Sequence, residues 1–225
     1  MEAQILDAMY ERKRRIKAEA LDALRRSRVE RMRTIVNAYQ RNFSPHDFYP
    51  SVDDVCRIPD ILKVIMEGTD EEFDACAGEV TSRLPELTSQ LLEERTLLLS
   101  ALIPLGVRVN LSLATTWFKC GLCNSLLIHG QEALKHECLR VQGSSDGLAG
   151  GTTFDTILRR GWCADDFVFS RCAFTAAREL ISECFADPES ITLDEINSKL
   201  YRFILDEGGK RHMYSWMERV SLLFS

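Results

Sequence analysis

Long apolar runs are missing from this chain. The longest stretches, such as Leu97 to Val107, are too short and too interrupted to cross a bilayer, which takes about 20 consecutive apolar residues. The N-terminal MEAQILDAMYERKRR has no apolar core of the kind that a secretory signal carries. Both absences set the expectation of an intracellular protein, cytoplasmic or nuclear, with no membrane partner. Histidine is scarce, four in 225 residues, so an acid–base site has few nitrogens to draw on. His46 beside Asp47 and His212 near Tyr214 are isolated pairs that read as solvated polar patches, and no catalysis is expected. A phosphate-binding loop is missing too. GSSDGLAGG, residues 143–151, has the glycines but neither the lysine nor the preceding strand, and residues 142–153 read as a flexible loop.

Proline and glycine are absent from Glu2 to about Asn42, where most residues are good helix formers, so this stretch predicts one long helix. Val29, Met32, Val36, Tyr39 and Phe43 recur at spacings of 3, 4, 3 and 4 and form a stripe that can dock on the rest of the protein. The first half of the helix, with Arg12, Lys13, Arg14, Arg15 and Lys17, is polar nearly all round and reads first as a solvated face, with a nuclear-import or phosphate-binding run as the alternative. Residues 1–50 hold 11 Lys and Arg against 7 Asp and Glu, net +4, which leaves −10 on the other 175 residues of a chain at −6. A basic arm on an acidic body suits contact with nucleic acid or with an acidic partner, but the body would repel a polyanion.

Beyond the arm, Pro45 and Pro50 mark a connector. Thr69 and Glu72 have capping-box spacing, and Pro85 predicts the first residue of another helix running to about Ile103, closed by Pro104 and Gly106. Towards the C-terminus, 167–170 reads as a strand and Arg171 to Phe185 as a helix with Ala176, Leu180 and Cys184 on one face. Thr192 with Glu195 caps a further helix, 201–205 is strand-like, Glu207 to Gly209 is a turn, and the tail from Trp216 is helical.

What the chain does have is cysteine in an unusual place. Residues 118–138, FKCGLCNSLLIHGQEALKHEC, hold three of eight cysteines and two of four histidines. Cys120 and Cys123 form a C-x2-C knuckle whose two thiolates can reach one ion. A strand at 117–119, a return strand at 126–128 and a short helix from Gln131 would bring His136 and Cys138 back over it, a ββα-like plan. Three sulfurs and one nitrogen close a tetrahedral shell suited to structural zinc, with no position open for substrate. The bland alternative is a set of reduced thiols packed as small hydrophobes. His129 is a fifth candidate behind His136, and Cys163 is the one distant cysteine kept as a possible ligand. Cys56, Cys76, Cys172 and Cys184 read as core or surface thiols. The short helix offers Gln131, Glu132, Lys135 and Glu137, and its two acids argue against reading DNA.

The run LATTWFKCGLCNSLLIHGQEALKHECL resembles the C-terminal regions of mushroom-type fungal F-box-like proteins, whose pattern is close to LATT-x-F-x-C-x2-C followed by L-x-H-x-C. The resemblance extends to YPSVDDVCRIPD and FDACAGEVTSRLPELTSQL upstream and to ARELISECFADPESITLDEINSKLYRF downstream, about residues 10 to 225. It implies an adaptor role. The family's second C-x-x-C and late histidine are missing after Phe203. A second, finger-like unit would therefore stand without metal on Phe203, Leu205, Trp216, Val220 and Leu223. No F-box lies ahead of residue 10, so recruitment to a ubiquitin ligase is not carried over.

The expected architecture is mainly α with small β elements. It comprises a basic helical arm and connector (1–50), a helical block (51–110), a zinc finger-like segment (111–141), the loop (142–153) and an α/β unit resembling a degenerate, metal-free finger (154–225). The expected function is a non-catalytic, zinc-stabilised scaffold that binds another protein. The alternative is a nuclear or nucleic-acid-associated factor using the basic helix.

Overall fold

The computed structural model describes residues 2–44, 47–123, 127–136, 161–184, 186–198, 202–207, 210–216 and 220. The fold is mainly helical, with a long N-terminal helix and a small three-stranded antiparallel sheet. The chain divides into two compact units, Met1–Gln90 with Gly143–Gly161, and Leu91–Gln142 with Trp162–Ser225.

In the first unit, α1 (Glu2–Gln40) is the single helix that the lack of proline and glycine predicts. Its stripe of Val29, Met32 and Val36 is buried with Val55, Ile61, Ile65, Phe73, Val80 and Leu84, and Tyr39 packs against this core partly exposed. α2 (Val52–Cys56) starts at a capping box: the Asp54 N–H donates to Ser51 Oγ at 3.1 Å, and the Ser51 N–H donates to Asp54 Oδ2 at 2.8 Å. α3 (Pro59–Glu67) has proline in its first turn and ends at Gly68, where a Cβ would come within 2.7 Å of the Val64 carbonyl oxygen.

The last turn of α3 is closed by α1. Arg28, 3% exposed, donates from Nη1 to the carbonyls of Val64 and Ile65 at 3.2 and 3.1 Å. From Nη2 it donates to Gly68 O at 2.8 Å and to Asp70 Oδ1 at 2.9 Å. Arg25 donates to Met66 O at 3.3 Å. Val64 O also accepts the Gly68 N–H at 3.0 Å, while Ile65 O and Met66 O are among the terminal carbonyls that a helix C-terminus leaves short of partners, so one buried cation caps α3 and reaches the start of α4.

α4 (Asp70–Ala101) opens with the expected Thr69–Glu72 box, the Glu72 N–H donating to Thr69 Oγ1 at 3.2 Å and the Thr69 N–H to Glu72 Oε2 at 2.7 Å. It then runs through Pro85, which corrects the expectation that Pro85 begins a separate helix. The physical reason lies in the buried stripe. Phe73, Ala77, Val80, Leu84 and Leu87 keep spacings of 4, 3, 4 and 3 across the proline, and Pro85 itself faces solvent. An interior proline costs about 3 kcal/mol, which burial of two or three large apolar side chains offsets. Residues 70–90 of this helix belong to the first unit and 91–101 to the second.

The second unit centres on β1 (Trp117–Cys120), which pairs antiparallel with β2 (Ile128–His129) and with β3 (Phe167–Phe169) in the order β2-β1-β3. α5 (Gly130–Leu134) follows β2 directly, and a 3-10 turn, Ala164–Asp166, leads into β3. α6 (Arg171–Glu183) buries Ala173, Ala177, Leu180 and Ile181. Its face is thus turned from the one expected, with Ala176 and Cys184 half-buried at the edge. α7 (Leu193–Ser198) has the expected Thr192–Glu195 box. β4 (Arg202–Glu207) and β5 (Lys210–Ser215) form an antiparallel hairpin. Trp117, Trp216, Val220, Ile191 and Ile196 complete a core with α6. The predicted loop at 142–153, the turn glycines 208 and 209 and most of the C-terminal tail lie outside the described residues, as do His46 and the side chains of Phe203, Leu205, His212 and Leu223. Among the described residues no helix is long and apolar enough to cross a membrane.

Replacing Arg28 by methionine keeps the stem and removes the donor to the Ile65 carbonyl, while Val64 O keeps the Gly68 N–H. We expect a loss of about 2–4 kcal/mol in urea unfolding. Arg31→Met, which removes an exposed pair with Asp74, is expected to cost under about 1 kcal/mol in the same assay.

Candidate metal centre

Cys120 ends β1, and two turn residues, Gly121 and Leu122, carry the chain to Cys123. The strand alternates, so Phe118 and Cys120 share one face while Trp117 and Lys119 share the other. Directly paired residues in an antiparallel sheet share a face, which puts Phe169 beside Phe118 and Phe167 beside Cys120. The Phe118 and Phe169 rings meet edge to face at 6.0 Å. Trp117 goes to the opposite side, where its ring meets His129 at 5.6 Å and its indole N–H donates to Ala114 O at 2.8 Å. Period-two alternation therefore separates the core tryptophan from the thiol.

His136 lies just past the end of α5, and its Nε2 is 3.2 Å from Cys123 Sγ. The donor atoms of Cys120, Cys123 and His136 all lie within 4.8 Å of one another. Cys120 is buried and the other two are half-buried. On a tetrahedral zinc ion, sulfur and nitrogen donors at about 2.0–2.3 Å lie roughly 3.5–3.8 Å apart. This group thus needs little adjustment to hold a metal ion. Cys138 lies outside the described residues.

The turn bearing His136 is held by groups that no local motif announces. The two C-terminal carbonyls of α5 are both capped by side chains: Ala133 O accepts the Trp162 indole N–H at 2.8 Å, and Leu134 O accepts Arg95 Nη1–H at 2.7 Å. The Arg95 guanidinium lies over the Trp162 ring at 4.8 Å, Trp162 packs on Phe167 at 5.7 Å, and the His136 ring meets Phe167 edge to face at 5.8 Å. Phe167 thus stands beside both Cys120, across the strand pair, and His136. Arg95 in α4 and Trp162 are far from the cysteines in sequence, and no spacing rule links either of them to the cysteine knuckle.

His129, the alternative nitrogen ligand, is engaged elsewhere. Its Nε2 is 2.9 Å from Leu113 O, and its Nδ1 accepts the Gln131 N–H, which caps α5. A neutral ring protonated at Nε2 satisfies both bonds. The next residue must be glycine: a Cβ on Gly130 would lie 2.5 Å from Leu111 O. Cys163, half-buried ahead of the 3-10 turn, is not part of the three-donor group. The remaining thiols fit the core-or-surface reading. Cys56 is fully buried with its pKa pushed up to about 12, by burial first and then by Asp53, and Cys172 is exposed.

The second unit is therefore a small antiparallel sheet packed on helices, with a thiol–thiol–imidazole group at one end of its central strand. Searches against protein-family models, curated proteins and solved structures find no match to the chain.

Burial lowers the His129 pKa, outweighing the Leu113 carbonyl and the acids Glu132 and Asp194. The unfolded histidine titrates near 6.5. The neutral ring therefore carries no penalty above that pH, and stability falls as pH drops below about 6.5, because the unfolded chain takes a proton that the folded chain refuses. Equilibrium unfolding between pH 7 and 5 is expected to have a shallower acid slope in His129→Asn than in wild type. The difference approaches one proton, about 1.4 kcal/mol per pH unit; equal slopes would contradict the assignment.

Proposed function

We propose that Cys120, Cys123 and His136, with Cys138 as fourth ligand, form a structural zinc clasp in a non-catalytic scaffold that binds another protein. The observation that carries the proposal is the convergence of three donor atoms within 4.8 Å from two chain segments that no disulfide joins. Two thiolates and an imidazole are the donor set that favours zinc over harder cations. The strand–strand–helix order β1, β2, α5 supports a finger-like reading, with a third strand, β3, on the far side of β1. Four such ligands close the shell, which is why the role assigned to the ion is structural. α5 spans five residues, and its exposed Gln131 and Glu132 offer a nucleic-acid phosphate no cation. A protein partner is thus favoured over DNA or RNA. The sequence resemblance to fungal F-box-like proteins points the same way, towards an adaptor.

Metal analysis of purified protein tests this reading, with one zinc per chain as the expected result. Cobalt substitution should give the visible absorption of a tetrahedral thiolate site. Cys120→Ser and Cys138→Ser should each lose the metal together with unfolding cooperativity in the second unit. A metal-free, fully folded protein would sink the proposal. Arg95→Met and Trp162→Phe leave all donors in place while uncapping the His136 turn. In chelator competition each is expected to weaken zinc binding by about 10- to 100-fold.

A further inference from the structure

Residues 9–27 of α1 are almost wholly exposed, yet their side chains are patterned. Met9 and Ile16, each more than half exposed, fall in line with Lys13, Ala20 and Ala23 at successive spacings of 4, 3, 4 and 3. That is heptad spacing, with Met9, Ile16 and Ala23 at d positions and Lys13 and Ala20 at a positions. At 100° per residue this seam lies on the opposite side of the helix from Val29, Met32 and Val36. One helix thus has a downstream apolar face buried in its own unit and an upstream apolar face left open.

Charge decides what suits the open face. Arg14, Arg15 and Arg25 pair with Glu11, Glu19 and Asp22. Arg12, Lys13 and Lys17, which lie at g, a and e along the seam, make no ion pair among the described residues. A second copy fits badly. In a parallel pair, g faces the following e of the other helix, so Arg12 of one copy meets Lys17 of the other while Lys13 meets Lys13 in the seam. An antiparallel pair centred on this stretch sets Arg12 against Arg26 and Glu19 against Glu19. Nucleic acid would use the cations and leave Met9 and Ile16 without a role. A bilayer surface favours a broader apolar face with aromatic residues, whereas this seam has a lysine near its centre and two alanines.

We propose that residues 9–26 of α1 bind an acidic amphipathic helix of another protein, one with an apolar seam of its own, acids flanking it and one acid facing Lys13. This deepens the scaffold reading and rests on it, by naming the chemistry of the partner. The probe is a synthetic four-heptad peptide with leucine at a and d, one aspartate at an a position, and glutamate at e and g. Its counterpart has lysine at e and g.

Fluorescence anisotropy with the full, zinc-loaded chain is expected to show binding of the glutamate peptide and none of the lysine peptide. Ile16→Asp should abolish binding. The double variant Arg12→Glu with Lys17→Glu should lose at least about tenfold in affinity and gain binding to the lysine peptide, an outcome that a misfolded protein cannot produce. Several results would overturn the proposal: no binding of the glutamate peptide, binding that Ile16→Asp leaves unchanged, or a dimer in sedimentation that Ile16→Asp dissolves. Binding of anionic vesicles or duplex DNA that exceeds peptide binding would do the same. Zinc content, measured on the same samples, keeps the two readings apart. Lost peptide binding with one zinc per chain counts against the partner alone, and absent zinc with intact peptide binding counts against the clasp alone.

Discussion

A strand of four residues at the centre of a sheet must find hydrogen-bond partners for both of its edges, and β1 finds them at two very different distances along the chain. β2 comes from eight residues downstream and β3 from far beyond it, so pairing Cys120 with Phe167 is what closes the second unit. Everything at the candidate metal centre follows from that register. It sets the Phe167 ring beside Cys120 and against His136, and it brings Trp162 to the end of α5. A slip by one residue would turn Cys120 to the Trp117 side and leave the imidazole without its thiols.

The first unit solves a similar problem with charge. α3 is nine residues long and ends at a glycine, so its terminal carbonyls need donors from elsewhere. α1 supplies them through Arg25 and Arg28, and Arg28 also reaches Asp70 and lies 5.6 Å from the centre of the Phe73 ring. A buried guanidinium that meets several carbonyls and a carboxylate is stable because its desolvation is offset by charge-assisted hydrogen bonds. In both units short helices are held at their C-termini by arginines from a longer one: Arg28 of α1 for α3, and Arg95 of α4 for α5.

Much of the local structure was legible in advance. The continuous α1, the capping boxes at Thr69 and Thr192, the strand–strand–helix order around the cysteines and the strand at 167–169 each follow from a short-range rule about spacing or about which side chain can cap a helix. Two readings went astray for one reason. Pro85 carried a helix-start signal, and the α6 face was assigned from its own composition, but burial decided both. The stripe on α4 stays in phase through the proline, and α6 turns Ala173 and Ala177 inward, into the core that also holds Trp117 and Trp216.

By itself the sequence singled out two candidate donor atoms: cysteines with two residues between them place two thiolates within reach of one ion, because a tight turn is a local matter. It left open which histidine would join them. Tertiary structure decided that, by occupying both ring nitrogens of His129 with the Leu113 carbonyl and the start of α5, and by setting His136 3.2 Å from Cys123 through a turn that Arg95 and Trp162 cap from distant positions. The physical reason is that a ligand's availability depends on what else can bond to it, and those competitors come from segments that meet only in the folded chain.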